Sequence, residues 1–362
     1  MRDVVVIGAG QAGLAASYYL VRAGADYLTL EGLPRVGDGW RNRWEGLRLF
    51  TPNRYNGLPG TPFPGERYGL PTKDEVADYL ERYVTEHALH VRCNAEVTKA
   101  AYDSSGWRLA LASGEVLTCR HIVIAAGAYR TPRLPAFAKT LPAGIRTAHT
   151  SELRDPLSWL DTSGRRILVV GAGASGKQVA QLLSTKHDVT LAGNDPGHLP
   201  RRFLGRDVYD YLYGLRVLPL RVDSMAGKVL AKAPQKGEIR VGEAVDDMAE
   251  RCGVTRRAKV KAVTEAGVEY EDGDRDAHFE AVVFATGYDN HYGFLAGTPL
   301  LDVHGKPRHH LGHTAYNATW LGLHLMRRVN SSLLGGVAAD AEELVAALLP
   351  GIRSSKDPTS GP

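Results

Sequence analysis

Three glycines in the run GAGQAG, Gly8, Gly10 and Gly13, stand between an apolar β-branched stretch and an Ala- and Leu-rich one, and they constrain the fold more than any other feature. Val4, Val5, Val6 and Ile7 predict a buried strand, and the residues after the glycines predict a helix that ends near Gly24. A second short strand, Tyr27 to Leu30, ends on Glu31, which lies 31 − 8 = 23 residues after the first glycine. A dinucleotide-binding strand-helix-strand unit places its ribose-binding carboxylate there. Each glycine then has a physical job: Gly8 permits the tight turn, Gly10 lets the backbone approach a pyrophosphate, and Gly13 lets the helix pack on the strand. A ligand-free glycine turn is the alternative, and the flanking strand, the helix and Glu31 weigh against it. Arg2 before an apolar run also raises a secretory leader. The glycines interrupt that run and a second strand continues the pattern, so none is expected.

The opening pattern recurs. Arg166 to Val170 leads into Gly171-Ala172-Gly173-Ala174-Ser175-Gly176, a helix from Lys177 to about Thr185, and a strand from Val189 to Ala192. Two such units mean two dinucleotides, or one dinucleotide and a degenerate copy, and the intact glycines of the second favour two. Counting 23 on from Gly171 gives Asn194 instead of an acid, followed by Asp195 and the basic cluster Arg201, Arg202 and Arg206. A carboxylate at that position would accept the ribose 2′-OH of NADH and repel the 2′-phosphate of NADPH; arginines nearby would favour the phosphate, unless they form a solvated helix start. Two more buried strands end on small residues, His121 to Ala125 before Ala126-Gly127, and Ala281 to Ala285 before Thr286-Gly287-Tyr288. Small residues at a strand end leave room for a cofactor, and the second of these strands is expected to return the chain to the first sheet.

Between the units, Gly37-Asp38-Gly39-Trp40, Leu47 to Asn53 and Leu58 to Pro64 carry too many prolines and glycines for a long helix. They predict an ordered loop rich in aromatic and Arg side chains, which either lines a planar ligand or packs over a sheet edge. Thr72 to Ala88 predicts an amphipathic packing helix, and Ser331 to Gly336 opens a final helix reaching about Leu349.

The 362 residues leave room for about two domains. An apolar content of 44% with 23% charged residues is that of a soluble globular protein, and no stretch approaches the roughly 20 apolar residues that span a bilayer. A net charge of +4 without a long basic run points away from nucleic acid. Cys93, Cys119 and Cys252 lie 26 and 133 residues apart, which gives no disulfide framework, no metal-ligand spacing and no CxxC pair, and fits a cytoplasmic protein. His309, His310 and His313 would need a helix to share one face, and Gly305, Pro307 and Gly312 break it, so no metal site is expected. No GxSxG nucleophile motif and no spaced carboxylate pair is present.

These residues together resemble the flavin-containing monooxygenase superfamily, in a compact bacterial branch that is similar also to YUCCA-type, N-hydroxylating and Baeyer–Villiger enzymes. GAGQAG with Glu31 resembles the FAD turn, and GDGW with LRLFTP and LPGTPFP resembles the segment over the isoalloxazine. GAGASG resembles the nicotinamide-nucleotide turn, and Phe284-Ala285-Thr286-Gly287-Tyr288 followed by Phe294 fits the motif FATGY-x5-F. There are departures. The linking fingerprint FxGxxxHxxx(F/Y) is retained only at His149, with Ala143, Ile145 and Leu153 at its other fixed positions. Pro52 follows Thr51 where many relatives carry an Asn that steadies the flavin hydroperoxide, with Asn53 next, and Asn194 stands where relatives often carry Arg.

The resemblance implies an α/β fold of two Rossmann-like dinucleotide-binding domains, an NAD(P)H domain (156–280) inserted into an FAD domain (1–155 and 281–353), and a disordered tail (354–362). It implies FAD binding by Gly8, Gly10, Gln11, Ala12, Gly13, Glu31, Gly39, Trp40, Val97, Ala126, Gly127, Gly287 and Leu334. For NAD(P)H it implies Gly171, Gly173, Ala174, Ser175, Gly176, Asn194, Arg201 and Arg202, with Asn53 as the catalytic residue. The implied activity is monooxygenation: NADPH, or NADH, reduces FAD, O₂ adds, and a flavin hydroperoxide transfers one oxygen to a small nucleophilic sulfide, amine or ketone. The implied protein is a cytoplasmic monomer or homodimer. Two alternatives are an NAD(P)H oxidase or reductase that releases H₂O₂, and a non-catalytic nucleotide-binding redox sensor.

Overall fold

The computed structural model describes residues 1–129, 131–195, 197–232, 241–289 and 292–354. The first unit forms as its pattern dictates. β1 (Arg2–Ile7), α1 (Gln11–Arg22) and β2 (Tyr27–Leu30) follow in order, and β1 pairs in parallel with β2, Ile7 opposite Leu30. After a single-turn α2 (Asp38–Arg41) comes α3 (Lys73–Glu86), which opens on a capping box: Thr72 Oγ1 accepts from Glu75 N at 3.2 Å and Glu75 Oε2 accepts from Thr72 N at 2.7 Å. Val76, Tyr79, Leu80 and Tyr83 of α3 are buried at the predicted spacing. β3 (Val91–Arg92) extends the sheet beyond β2, and β4 (Val97–Asp103), β5 (Gly106–Leu111) and β6 (Val116–Ile124) form an antiparallel meander on the other side, giving the order β3-β2-β1-β6-β5-β4.

The chain leaves this sheet through β7 (Thr131–Pro132) and enters a second one with β8 (Arg146–His149), β9 (Arg166–Val170), α4 (Ala174–Leu183) and β10 (Asp188–Ala192). The cluster Arg201, Arg202 and Arg206 does not start a helix. It belongs to a hairpin of β11 (Arg202–Phe203) and β12 (Arg206–Asp207), which leads into α5 (Val208–Gly214) and α6 (Met225–Lys232), two helices the sequence pattern does not reveal. α7 (Val245–Cys252), β13 (Thr255–Arg257) and an antiparallel meander of β14 (Val260–Thr264), β15 (Gly267–Tyr270) and β16 (Arg275–Asp276) come next.

β17 (Ala281–Phe284) corrects one expectation. It does not return to the first sheet but inserts in parallel between β8 and β9, with Val283 opposite Val169, in the order β13-β10-β9-β17-β8. The physical reason is that an apolar strand buried on both faces suits the centre of either parallel sheet, so composition cannot choose between them. The chain crosses back through β18 (Tyr288–Asp289), which pairs with β7, and rejoins the first sheet only at β19 (Ala318–Trp320), parallel to β6. α8 (Val337–Ser354) packs on α1 and closes the first layer. Ser354, assigned to the tail, is its last residue, and 355–362 lie outside the described residues. No helix among the described residues is long and apolar enough to cross a membrane.

His121 on β6 places Nε2 2.9 Å from Thr319 Oγ1 on β19, and burial, with His313 nearby, holds its pKa down to about 4. An unfolded histidine titrates near 6.5, so neutral His121 contributes stability that is complete above that pH and is lost as pH falls towards 4, about 3 kcal/mol in all. We expect His121→Gln to flatten this part of the stability profile, measured by urea unfolding across that range; an unchanged slope would contradict the burial of a neutral ring.

Candidate active site

The first glycine turn is closed on two sides and open on the third. Gly8 adopts φ +103°, and a Cβ there would lie 2.5 Å from the Ala125 carbonyl oxygen at the end of β6; a Cβ on Gly13 would lie 1.8 Å from the Gly8 oxygen. Gly10 differs, because no atom lies within 4 Å of where its Cβ would be, and the same holds at Gly39 and Gly127. α1 begins at Gln11 and Ala12 with no capping side chain and no acid in its first turn, so its leading N–H groups are left for an anion. Glu31 Oε2 accepts from Ala9 N and its Oε1 from Leu33 N, both at 3.0 Å, which fixes a carboxylate at the tip of β2 beside the turn. Ala95 N donates to Glu31 O at 2.8 Å, bringing the start of β4 and buried Val97 alongside. An open cradle, an uncapped helix end and a ribose-height carboxylate fit the pyrophosphate and ribose of a dinucleotide.

The second turn repeats this geometry. Gly171 has φ +104° and its Cβ would lie 2.4 Å from the Ala285 oxygen at the end of β17, while a Cβ on Gly176 would lie 1.8 Å from the Gly171 oxygen. α4 starts at Ala174 and Ser175 behind an extended Gly173, again without a cap or an early acid. The small residues after β17 thus serve this turn, as Ala125 and Ala126 after β6 serve the first. Gly287 itself lies past the turn, in the crossover. Asn194 is exposed just beyond Gly193. The cation beside it is one that sequence counting missed: Arg256 donates to Gly193 O at 3.0 Å and to Leu191 O at 2.6 Å, and pairs with Asp246 at 2.9 Å. It arrives 256 − 194 = 62 residues later in the chain because β13 pairs with β10, a sheet neighbour no local motif reports. Arg201 is engaged elsewhere, donating to Phe50 O and pairing with Asp207, each at 2.7 Å. Arg202, exposed on β11, lines a cavity with Arg54 and Tyr55 of the first domain.

The loop of residues 38–56 spans the two domains and divides its aromatic side chains between their cores. Trp40 packs on the first core, whereas Trp44 is buried in the second. Gln178 of α4 holds the Arg48 backbone both ways, its Oε1 accepting at 3.1 Å and its Nε2 donating at 3.0 Å. Asn53 is buried; its Nδ2 donates to Glu66 O at 2.9 Å and its Oδ1 has no partner among the described residues. Leu334 is buried before α8, where a Cβ on the next residue, Gly335, would lie 2.1 Å from Tyr55 O, so the helix start seats directly on this loop. His149 donates from Nε2 to Gly287 O at 3.0 Å and accepts at Nδ1 from Ser151 N at 3.1 Å, which sets a neutral tautomer; burial lowers its pKa. Arg43 donates to the Tyr288 hydroxyl and to Gly39 O, tying loop to crossover.

The family described as pyridine nucleotide-disulphide oxidoreductase matches residues 5–202. A CzcO-like oxidoreductase of Geobacillus kaustophilus is 32% identical over 96% of this chain and 98% of its own. The indole-3-pyruvate monooxygenase YUCCA1 of Oryza sativa is 32% identical over 78% of this chain and 76% of its own. The solved structure of a flavin-containing monooxygenase from Stenotrophomonas maltophilia superposes with a TM-score of 0.77 at 26% identity, covering 97% of this chain and 98% of that one. The dithiol of the family description has no counterpart here: all three cysteines are free, and burial pushes the Cys119 thiol up to about 12.

The open space at Gly10 makes one substitution specific. We expect Gly10→Val to yield a colourless protein, read by visible flavin absorbance, and Gly173→Val to keep the colour while losing flavin reduction by NADPH. Loss of both the colour and the reduction in Gly173→Val would contradict separate sites.

Proposed function

Because the chain belongs to the flavin monooxygenase superfamily, within the pyridine nucleotide-disulphide oxidoreductases, we propose that it uses NAD(P)H and O₂ to oxygenate a small substrate, a nucleophilic sulfide or amine or an electrophilic ketone. It is an FAD-dependent oxidoreductase. The observation that supports the proposal is the pair of glycine turns with the same close approaches, Gly13 over the Gly8 carbonyl and Gly176 over the Gly171 carbonyl, each ahead of an uncapped helix start. FAD, when bound, supplies the electron acceptance and oxygen activation that no side chain here provides. Gly8, Gly10 and Gly13 would admit its pyrophosphate, Glu31 would hold its ribose, and Gly39, Trp40 and Leu334 would flank its ring. Gly171, Gly173 and Gly176 would do the same for the nicotinamide nucleotide. The balance is one NAD(P)H and one O₂ consumed, one oxygen atom placed on the substrate and the other leaving as water.

Release of H₂O₂ is a second outcome, favoured by one feature. Pro52 brings no donor, and one N–H of the neighbouring Asn53 amide is already committed to Glu66 O. Peroxide formed per NADPH distinguishes the two: a thioether, amine or ketone that suppresses peroxide identifies a substrate, and a yield of one in every case would establish an oxidase.

Coenzyme choice turns on Asn194 and Arg256. A charge-assisted contact contributes about 1.5–3 kcal/mol, roughly 10- to 150-fold in affinity. Arg256 already serves two carbonyls and Asp246, so the low end applies. We expect both coenzymes to be used, with NADPH favoured by about tenfold or less, and Asn194→Arg to raise that preference through the KM for NADPH. A wild-type preference above about a hundredfold, or no response to Asn194→Arg, would place phosphate recognition elsewhere.

A further inference from the structure

A cavity of about 810 Å³ opens where the hairpin and α5 of the inserted domain meet the loop that continues from Asn53. Its walls carry five arginines and two aspartates, an excess of three positive charges. The aspartates are already answered. Asp210 pairs with Arg54 at 3.0 Å and accepts from the hydroxyls of Tyr55 and Tyr68 at 2.5 and 2.7 Å; Asp207 pairs with Arg201. Arg67, Arg202 and Arg206 are exposed and form no ion pair within 4 Å among the described residues, although Arg67 lies close enough to Asp210 to help hold its carboxyl pKa down. Beside them Tyr55 and Tyr213 stack at 4.2 Å with 4° between their rings, and both phenols are held protonated, their pKa values raised by burial. A stacked tyrosine pair, with the Arg54 guanidinium 5.3 Å over the Tyr55 ring, therefore adjoins a cationic mouth.

Two placements tie this cavity to substrate and not to either nucleotide. No described lining residue comes from the two glycine turns or from 193–195. Asn53, by contrast, is held inside the same loop, its backbone N donating to Gly69 O at 2.9 Å and its side chain to Glu66 O, on either side of Arg67 and Tyr68. We infer that this cavity binds an aromatic substrate bearing a carboxylate, its ring against Tyr55 and Tyr213 and its anion held by Arg67, Arg202 and Arg206. Guanidinium groups pair with carboxylates in a bidentate fork, and an excess of like charge around a mouth draws anions in. Binding itself does not depend on the proposed monooxygenase activity; only oxygenation of the bound acid does.

Binding is therefore tested without turnover. FAD-loaded protein is titrated calorimetrically with para-(methylthio)benzoate and with thioanisole, which lacks the carboxylate, and oxygenation of both is measured in parallel. The acid is expected to bind about tenfold more tightly than thioanisole, to lose about tenfold in each of Arg67→Gln and Arg206→Gln, and to weaken with added salt. Thioanisole binding is expected to be the same in all three proteins. Equal binding of the two ligands, or equal loss for both, overturns the inference. A rise in the KM for NADPH with no change in acid binding overturns it as well, and assigns the arginines to a coenzyme phosphate. Arginine-dependent binding of an acid that is never oxygenated supports the cavity and counts against oxygenation of such acids.

Discussion

A backbone carbonyl occupies the place of a side chain twice in this protein. The Gly8 oxygen lies 1.8 Å from where a Cβ on Gly13 would be, and the Gly171 oxygen stands in the same relation to Gly176. Both helices can therefore lie directly on the turns that precede them, with their N-terminal N–H groups brought down to the strand ends. Everything else about the two sites depends on that approach. Each turn needs a neighbour strand ending on small residues, and each has one: Ala125 after β6 for the first, Ala285 after β17 for the second.

Two such units would be independent without the loop between them. Trp44 leaves the first domain to be buried in the second core, Gln178 of α4 holds the backbone of Arg48, and Arg43 reaches the crossover through Tyr288. His149 completes the link by donating to Gly287 O, at the point where β18 returns beside β7. Burial of a Trp is worth several kcal/mol, on the order of 3–5 by the cost of truncating one. The loop is thus held by packing at one end and by hydrogen bonds at the other, and it leads directly into buried Asn53.

Much of this was legible because local patterns report local structure. The glycine spacing, Glu31 and the Thr72–Glu75 capping box each sit within a few residues of what they shape, or, for Glu31, one strand-helix-strand unit away. What could not be read depends on sheet neighbours. β17 is apolar on both faces and suits either sheet; Arg256 reaches the Gly193 carbonyl, next to Asn194, only through the pairing of β13 with β10; Trp44 looks like any loop aromatic until two domains meet around it. The arginines near Asn194 in sequence turned away for a similar reason, since Arg201 finds Phe50 O and Asp207 in a domain interface that counting along the chain does not reveal.

The fold therefore carries two glycine-turn cradles, joined by one loop, and a cationic cavity with tyrosines in its lining. Holding a reductant, a flavin and a substrate together is what separates a monooxygenase from a reductase on the same scaffold. The most direct measurement supplies isotopically labelled oxygen gas to the FAD-loaded protein with NADPH and an accepted substrate, and analyses the product by mass spectrometry. One labelled oxygen atom in the product for each NADPH consumed is the predicted result. Complete recovery of the label as hydrogen peroxide, with no labelled product from any sulfide, amine or ketone, would contradict it.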